Sequence, residues 1–313
     1  MFKLSYIAID IGATNIRVAT GDHNGLKRKI MRPTEVTRGA DGVSEQIIKL
    51  IESVRTEEPS AIGIGSIGPI NLDKGMIMNT PNYPFKNIPI EEPLVDEYKV
   101  PVTIVNDCAA AVMGEQMFGA GQGMENIVYV TISTGLGAGA IVDDNLLLGK
   151  DGNAVEAGHF SLFPDSDTIC GCGCRGHWEA FSGGKNIPRF VKNCVASKDW
   201  GGSLLHKLAG GKIENVTAKS LYNAANQGDE YALEITDKLG EINAIGFANI
   251  VTAYDPELIT VGGSIAINNQ ELILGPIIKN VQKYTINRVP EIKITPLGHD
   301  AVLIGALALA MQI

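Results

Sequence analysis

Residues 7–20 read IAIDIGATNIRVAT and residues 128–142 read VYVTISTGLGAGAIV; each runs from an apolar strand through a tight Gly/Thr turn into a second strand. The two turns align, Asp10-Ile11-Gly12-Ala13-Thr14 with Ser133-Thr134-Gly135-Leu136-Gly137. Glycine lets the backbone approach a ligand closely, and hydroxyls add donors, so each turn suits a phosphate group. A pair of ordinary β-hairpins would show the same pattern, but the repetition within one chain favours two related halves holding one nucleotide. Neither turn matches the GxxxxGK[ST] phosphate loop or a GxGxxG run that opens a helix. A P-loop or dinucleotide-binding reading is therefore weak.

Outward from these hairpins, strand-like and helix-like segments alternate along the chain, which predicts an α/β fold. Short strands are expected over 6–9 and 16–19, a helix over GVSEQIIKLIESV (42–54), and a buried strand over AIGIGSIG (61–68). PVTIVND (101–107) reads as a strand, CAAAVMGEQMFG (108–119) as a helix, and NIVYVTIS (126–133) as another buried strand. Further helices are expected near 183–196, 217–226, 229–253 and 269–285, with strands at 257–263 and near 292–295 and a final helix. No low-complexity linker divides the chain. The expected boundary lies near FGAGQG (118–123), giving a small α/β domain over 1–118, rejoined by a C-terminal helix at 299–313, and a large one over 119–298.

The 313 residues suit two domains, and the 45% hydrophobic composition is ample for buried cores. A formal net charge of −9 disfavours nucleic acid and anionic membranes as partners, since both need a basic face. It does not disfavour phosphate ligands, which backbone N–H groups can hold. The start, MFKLSYIAID, passes into a strand carrying Asp10 without a signal-peptide pattern, and the apolar tail 301–313 is too short to span a bilayer. A cytoplasmic protein is expected. Three of its five cysteines fall in CGCGCRGH (170–177), and in a reducing compartment such a cluster points to metal ligation or redox chemistry rather than disulfides.

DIGATN (10–15), the strand-end pair Asn106-Asp107, STGLGAG (133–139), EAGH (156–159) and CGCGCRGHWE (170–179), in this order and spacing, resemble the ROK family of sugar kinases. ELITVGGS (257–264) is similar to that family's nucleotide-side glycine motif. The resemblance covers essentially the whole chain. It implies an actin/hexokinase-like (ribonuclease H-like) fold of two α/β domains, with the active site in the cleft between them and a structural zinc loop. It also implies phosphoryl transfer from Mg-ATP to a sugar hydroxyl. Two positions depart from the family pattern: Ile67 stands in GSIGP (65–69) where proline is common, and His177 stands where the zinc loop usually has its last cysteine.

Asp107 closes an apolar strand and opens a helix, a position that suits either a helix N-cap or a rigidly held base. The resemblance implies the base. For the sugar, it implies Gly65, Asn82, Asn106, Glu156, His159 and Glu179 as partners of the hydroxyls, alongside Asp107. Asp10, acting on Mg²⁺ or its waters, and Gly12, Thr14, Thr134, Gly135, Gly262 and Gly263 are the expected nucleotide contacts, with ordinary turn geometry the alternative for the glycines. One structural Zn²⁺ is expected on His159, Cys170, Cys172 and His177, with Cys174 the rival for the fourth place and unligated thiols a further reading. His159 would also turn its second ring nitrogen to a sugar hydroxyl. Cys108 and Cys194 read as small packed hydrophobes, Trp178 and Phe181 as packing beneath the cysteine loop, and GALALA (305–310) as a tightly packed helix.

The expected activity is ATP-dependent phosphorylation of a hexose at its 6-hydroxyl, with glucose the first choice of substrate. Kinases of N-acetylmannosamine or N-acetylglucosamine are the alternatives within the class. A sugar-responsive regulator without catalysis is the alternative from another class, disfavoured because the first hairpin begins by residue 6, which leaves no room for a DNA-reading helix-turn-helix. A homodimer or higher homo-oligomer is expected by analogy with the family.

Overall fold

The computed structural model describes residues 4–80, 83–196 and 199–313, so Asn82, expected at the sugar, lies outside the described residues. The chain runs through β1 (Tyr6–Ile11), β2 (Asn15–Asp22), β3 (Gly25–Pro33), α1 (Gly42–Val54), β4 (Ala61–Ser66), β5 (Ile70–Asn71), β6 (Met76–Ile77), β7 (Ile88–Pro89), α2 (Glu91–Tyr98), β8 (Val102–Asn106) and α3 (Asp107–Phe118). Next come β9 (Ile127–Ile132), β10 (Leu136–Val142), β11 (Asn145–Leu146), α4 (Glu179–Ser182), α5 (Ile187–Val195), α6 (Leu204–Leu208), α7 (Ala218–Asn226) and α8 (Glu230–Tyr254). The last are β12 (Leu258–Gly262), α9 (Ser264–Asn268), α10 (Gln270–Asn280), β13 (Glu291–Ile294) and α11 (Ala301–Gln312). Two compact units form, one from Met1–Tyr129, Gly139–Val155 and Pro296–Ile313, the other from Val130–Ala138 and Glu156–Thr295.

The first unit is organised by a sheet of order β3-β2-β1-β4-β8. Its β1, β2 and β3 form an antiparallel meander, while β1, β4 and β8 are parallel. Strand side chains alternate between faces. Accordingly Ile7, Ile9 and Ile11 join Ile16 and Val18 in one core cluster, covered by Val43, Ile47 and Ile51 of α1 and Leu94 and Tyr98 of α2. On the opposite face Ala8 and Ala19 meet Leu303, Ala306 and Leu307 of α11.

That second face is lined with small residues because α11 lies against the backbone of β4 and α3. A Cβ on Gly63 would fall 1.9 Å from Ala306 O, and one on Gly305 would fall 1.7 Å from Ala110 O. Gly305→Ala should therefore destabilise the protein by about 1–3 kcal/mol, the usual cost of overpacking, despite the helix propensity gained by replacing glycine. A thermal melt with an unchanged or higher midpoint would contradict that close approach.

The second sheet has the order β11-β10-β9-β12-β13, and the tip of its β9–β10 hairpin, Val130–Ala138, belongs to the second unit. Within that unit Trp178 is fully buried. Its Nε1–H donates to Asn243 Oδ1 (2.9 Å), its ring meets Phe247 edge-on at 5.6 Å, and a Cβ on Gly246 would lie 2.4 Å from the indole. Phe181 packs edge-on against Phe163 at 5.3 Å and belongs to the cluster holding Cys170. Cys108 is buried and Cys194 half-buried.

The structure adds elements that periodicity does not reveal. β3, GLKRKIMRP, is an exposed, basic edge strand with no apolar alternation; such charge guards an unpaired edge. The helix expected near 183–196 is α5, starting only at Ile187 after the separate one-turn α4 has ended at Ser182, and the one expected near 269–285 is α10, ending at Asn280. No helix among the described residues is long and apolar enough to cross a membrane.

Candidate active site

In the first unit the parallel register places Asp10 opposite Gly65 and Gly65 opposite Val105, so Asp10, Gly65, Ser66, Asn106 and Asp107 gather at the carboxyl ends of three adjacent strands. Ligands of open α/β sheets bind at this edge. Asn106 is the N-cap of α3, its Oδ1 accepting the Cys108 N–H at 2.9 Å, and Asp107 Oδ1 accepts the same N–H at 2.7 Å. That shared donor fixes both side chains at the start of the helix. Asp107 is thus pinned near the first turn, and both it and Asn106 are half-buried.

The β1–β2 turn is built from backbone. Gly12 N–H donates to Asn15 O (2.9 Å), while Gly12 O accepts from Thr34 Oγ1 (3.0 Å) and from the Tyr83 hydroxyl (2.8 Å). Thr14 is exposed at the tip. Asp10 is buried, and desolvation raises its pKa even though Arg17, its direct cross-strand partner, pulls it down. Arg17 Nε donates to Asp10 Oδ2 (2.6 Å), and the same guanidinium reaches His299 O (2.5 Å) and Asp300 Oδ1 (3.2 Å) just before α11. Lys29 pairs with the other oxygen of Asp300 at 2.6 Å. Sequence reasoning missed Arg17; the available signal was a lone cation inside an otherwise apolar hairpin, seven residues after the acid.

Gly65 answers to packing. A Cβ there would lie 2.6 Å from Val302 Cγ1 and 2.9 Å from Ala110 Cβ.

In the second unit the Ser133–Gly135 turn is tied to the segment after the cysteine loop. Gly184 N–H donates to Ser133 O (2.8 Å) and Lys185 N–H to Thr134 O (3.0 Å). Ser133 Oγ and Ser264 Oγ are 3.2 Å apart, which links the turn to the start of α9. Gly263, at φ +86°, is held where a Cβ would sit 2.5 Å from Ile132 O, so only glycine fits between β12 and α9. Gly262 ends β12 beside it.

The cysteine loop is a tight reverse turn: Cys170 N–H donates to Cys174 O (2.8 Å) and Gly173 N–H to Cys170 O (2.9 Å). One donor atom from each of His159, Cys170, Cys172 and His177 lies within 4.8 Å of the others. His159 Nδ1 is 3.2 Å from His177 Nδ1 and 3.8 Å from Cys170 Sγ, and Cys172 Sγ is 3.3 Å from His177 Nδ1. A tetrahedral zinc with its usual bond lengths requires edges of about 3.3 Å between nitrogens and about 3.6 Å between nitrogen and sulfur. The donor set therefore has the size and chemistry of a zinc site. Among the described residues Cys174 is outside this group, its side chain exposed. Burial pushes the Cys170 thiol up to about 11 when no metal is bound.

Two carboxylates flank the cluster. Glu156 O accepts the His159 N–H at 2.9 Å, and Glu179 follows His177 by two residues. The Glu156 residue is open to solvent, yet protein atoms crowd its carboxyl enough that desolvation raises its pKa; His159 lowers it and Glu179 raises it again. Glu179 is half-buried, its Oε2 accepting the Leu136 N–H at 2.9 Å.

The family model described as "ROK family" matches residues 6–313. The chain belongs to the ROK family. Within it, the glucokinase of Pyrobaculum calidifontis is 40% identical, over 98% of this chain and 95% of that one. The glucokinase of Thermotoga maritima is 35% identical, over 100% of this chain and 99% of the relative. The structure of a ROK family glucokinase from Streptomyces griseus, in complex with glucose and AMPPNP, superimposes with a TM-score of 0.82 at 30% identity, covering 99% of this chain and 100% of that one. The chain thus has the mixed α/β, actin/hexokinase-like fold of ROK sugar kinases, as its motifs led one to expect.

Proposed function

We infer that this ROK protein is an ATP-dependent glucokinase, transferring the γ-phosphoryl group of ATP to the 6-hydroxyl of glucose. The observation that carries the reading is identity of 30–40% with several glucokinases along nearly the full length of each chain. The side chains supply what the reaction needs: a proton acceptor, a grip on the sugar, and donors for the phosphates.

Asp107 takes the proton of the attacking hydroxyl as the new oxygen–phosphorus bond forms and the bond to the ADP oxygen breaks. Asn106, with a donor and an acceptor on one amide, orients a neighbouring hydroxyl. Glu156, Glu179 and His159 bind further sugar hydroxyls. Thr14, Thr134 and Gly135 present backbone N–H groups and hydroxyls to the phosphates, Gly12 holds the first turn in shape through its N–H to Asn15 O and leaves room for a phosphate to approach, and Gly262 and Gly263 lie on the adenosine side. Asp10 would hold Mg²⁺ or its waters through Oδ1, since Arg17 occupies Oδ2; an ion there would supply neutralisation of charge on the phosphates. His159, Cys170, Cys172 and His177 hold a structural zinc that shapes the sugar side and takes no part in the transfer.

The test is ADP release measured over glucose, mannose, fructose, N-acetylglucosamine and N-acetylmannosamine. Glucose should give the highest kcat/KM. A higher value for either acetamido sugar would reassign the substrate, and no turnover with any of the five would overturn the kinase reading.

A further inference from the structure

Glu179 is assigned above to the sugar and Gly135 to the nucleotide, yet the two are in direct contact within the second unit. Glu179 Oε2 accepts the Leu136 N–H at 2.9 Å, and a Cβ added to Gly135 would fall 2.6 Å from that same oxygen. The backbone just beyond Glu179 grips the other end of the turn, through Gly184 N–H to Ser133 O and Lys185 N–H to Thr134 O. Asn186 Nδ2 donates to Glu179 O at 3.0 Å and so fastens this segment back onto the start of α4. The second carboxylate oxygen, Oε1, lies 3.9 Å from Cys170 Sγ. The Glu179 side chain therefore stands between the cysteine loop and the β9–β10 turn, with Oε2 committed to the turn and Oε1 on the cysteine-loop side.

We propose that Glu179 is also a positioning residue for the phosphate turn, coupling sugar binding to nucleotide binding through its hydrogen bond to the Leu136 N–H. A hydrogen bond to a charged group is worth more than a neutral one and is directional. A sugar hydroxyl that orders the carboxylate therefore orders the Leu136 amide and the turn preceding it. Coupling free energy is reciprocal, so a nucleotide that orders the turn strengthens the grip on the sugar by the same factor. Gly135 is part of the device. Its missing Cβ leaves the space the carboxylate occupies, which gives this glycine a reason for being there that is separate from the approach of a phosphate.

The inference rests on the glucokinase reading, and equilibrium binding separates the two. Glucose and AMPPNP affinities are measured by calorimetry, each alone and in the presence of the other. Wild-type protein that binds no glucose would overturn the glucokinase reading itself. Given wild-type binding, Gly135→Ala should weaken glucose about tenfold or more in the absence of any nucleotide, because the new methyl displaces Glu179. Thr134→Val, which removes a hydroxyl from the same turn without touching Glu179, should weaken AMPPNP and leave glucose within twofold. A folded Gly135→Ala protein whose glucose affinity stays within twofold of wild type overturns the coupling. Should Gly135→Ala fail to fold, Glu179→Gln carries the test: its neutral acceptor should weaken AMPPNP severalfold without sugar present, and an unchanged AMPPNP affinity overturns the proposal.

Discussion

Replacing Asp107 by asparagine should lower kcat by about 10² to 10⁴, the usual contribution of a positioned general base, while glucose affinity and the thermal midpoint stay close to wild type. The structure explains why the damage should be confined to chemistry. Asp107 Oδ1 accepts the Cys108 N–H at 2.7 Å, and the oxygen of an asparagine amide still accepts that bond, though more weakly than a carboxylate. Asn106 Oδ1 accepts from the same N–H at 2.9 Å, so the first turn of α3 stays capped in either case. What the amide cannot do is take a proton from the sugar. Steady-state kinetics on the purified variant, with glucose binding measured separately, would decide the matter. Retention of more than about a tenth of wild-type kcat would assign the base elsewhere and leave Asp107 as a helix cap.

The second large effect concerns the cysteine loop. Metal analysis should return about one zinc per chain, as a single four-ligand site requires. Cys172→Ser and His177→Ala should each lose it, and glucose affinity with it, because Glu156 lies three residues before the ligand His159 and Glu179 two residues after His177. Binding of structural zinc is commonly worth on the order of 10 kcal/mol, so a lost ligand frees the whole loop rather than one side chain. Cys174→Ser should keep the metal, since its thiol lies outside the group of converging donors. Zinc retained in His177→Ala and lost in Cys174→Ser would exchange the two assignments, and a zinc-free wild-type protein with full activity would refute the site.

Much of this molecule was legible because its signals are local. The 3.6-residue recurrence of Val43, Ile47, Leu50, Ile51 and Val54 marks α1 without reference to any other element, and all five are buried. The clustering of cysteine and histidine within 170–177 likewise marked a metal loop, and the family resemblance supplied the donor set that the fold gathers to within 4.8 Å. Features that depend on partners distant in sequence were not legible. Arg17 is linked to His299 and Asp300 across more than 280 residues, and no pattern near residue 17 announces them. Gly65 sits in a motif beside the strand ends, where a glycine invites a ligand-facing interpretation; its neighbours Val302 and Ala110 add a packing requirement that local sequence does not reveal. β3 escaped because an edge strand can carry four charges in nine residues and still pair, and the hydrogen bonds that hold it belong to backbone.

The place of α11 in the first unit bears on how the protein is made. Its Leu303, Ala306 and Leu307 cover Ala8 and Ala19, but the ribosome delivers the whole of the second unit before that helix. At about 5–20 residues per second, on the order of ten to thirty seconds separate the emergence of α3 from that of α11. Through that interval one face of the nascent first sheet is covered only where α3 reaches it, beside Gly65, while the second unit, drawn mostly from one unbroken stretch, can complete itself. The alanines and glycines of that waiting face offer little apolar area to a passing chain. The small-residue seam thus does two jobs: it admits a late helix at close range, and it keeps an unfinished sheet from being sticky while it waits.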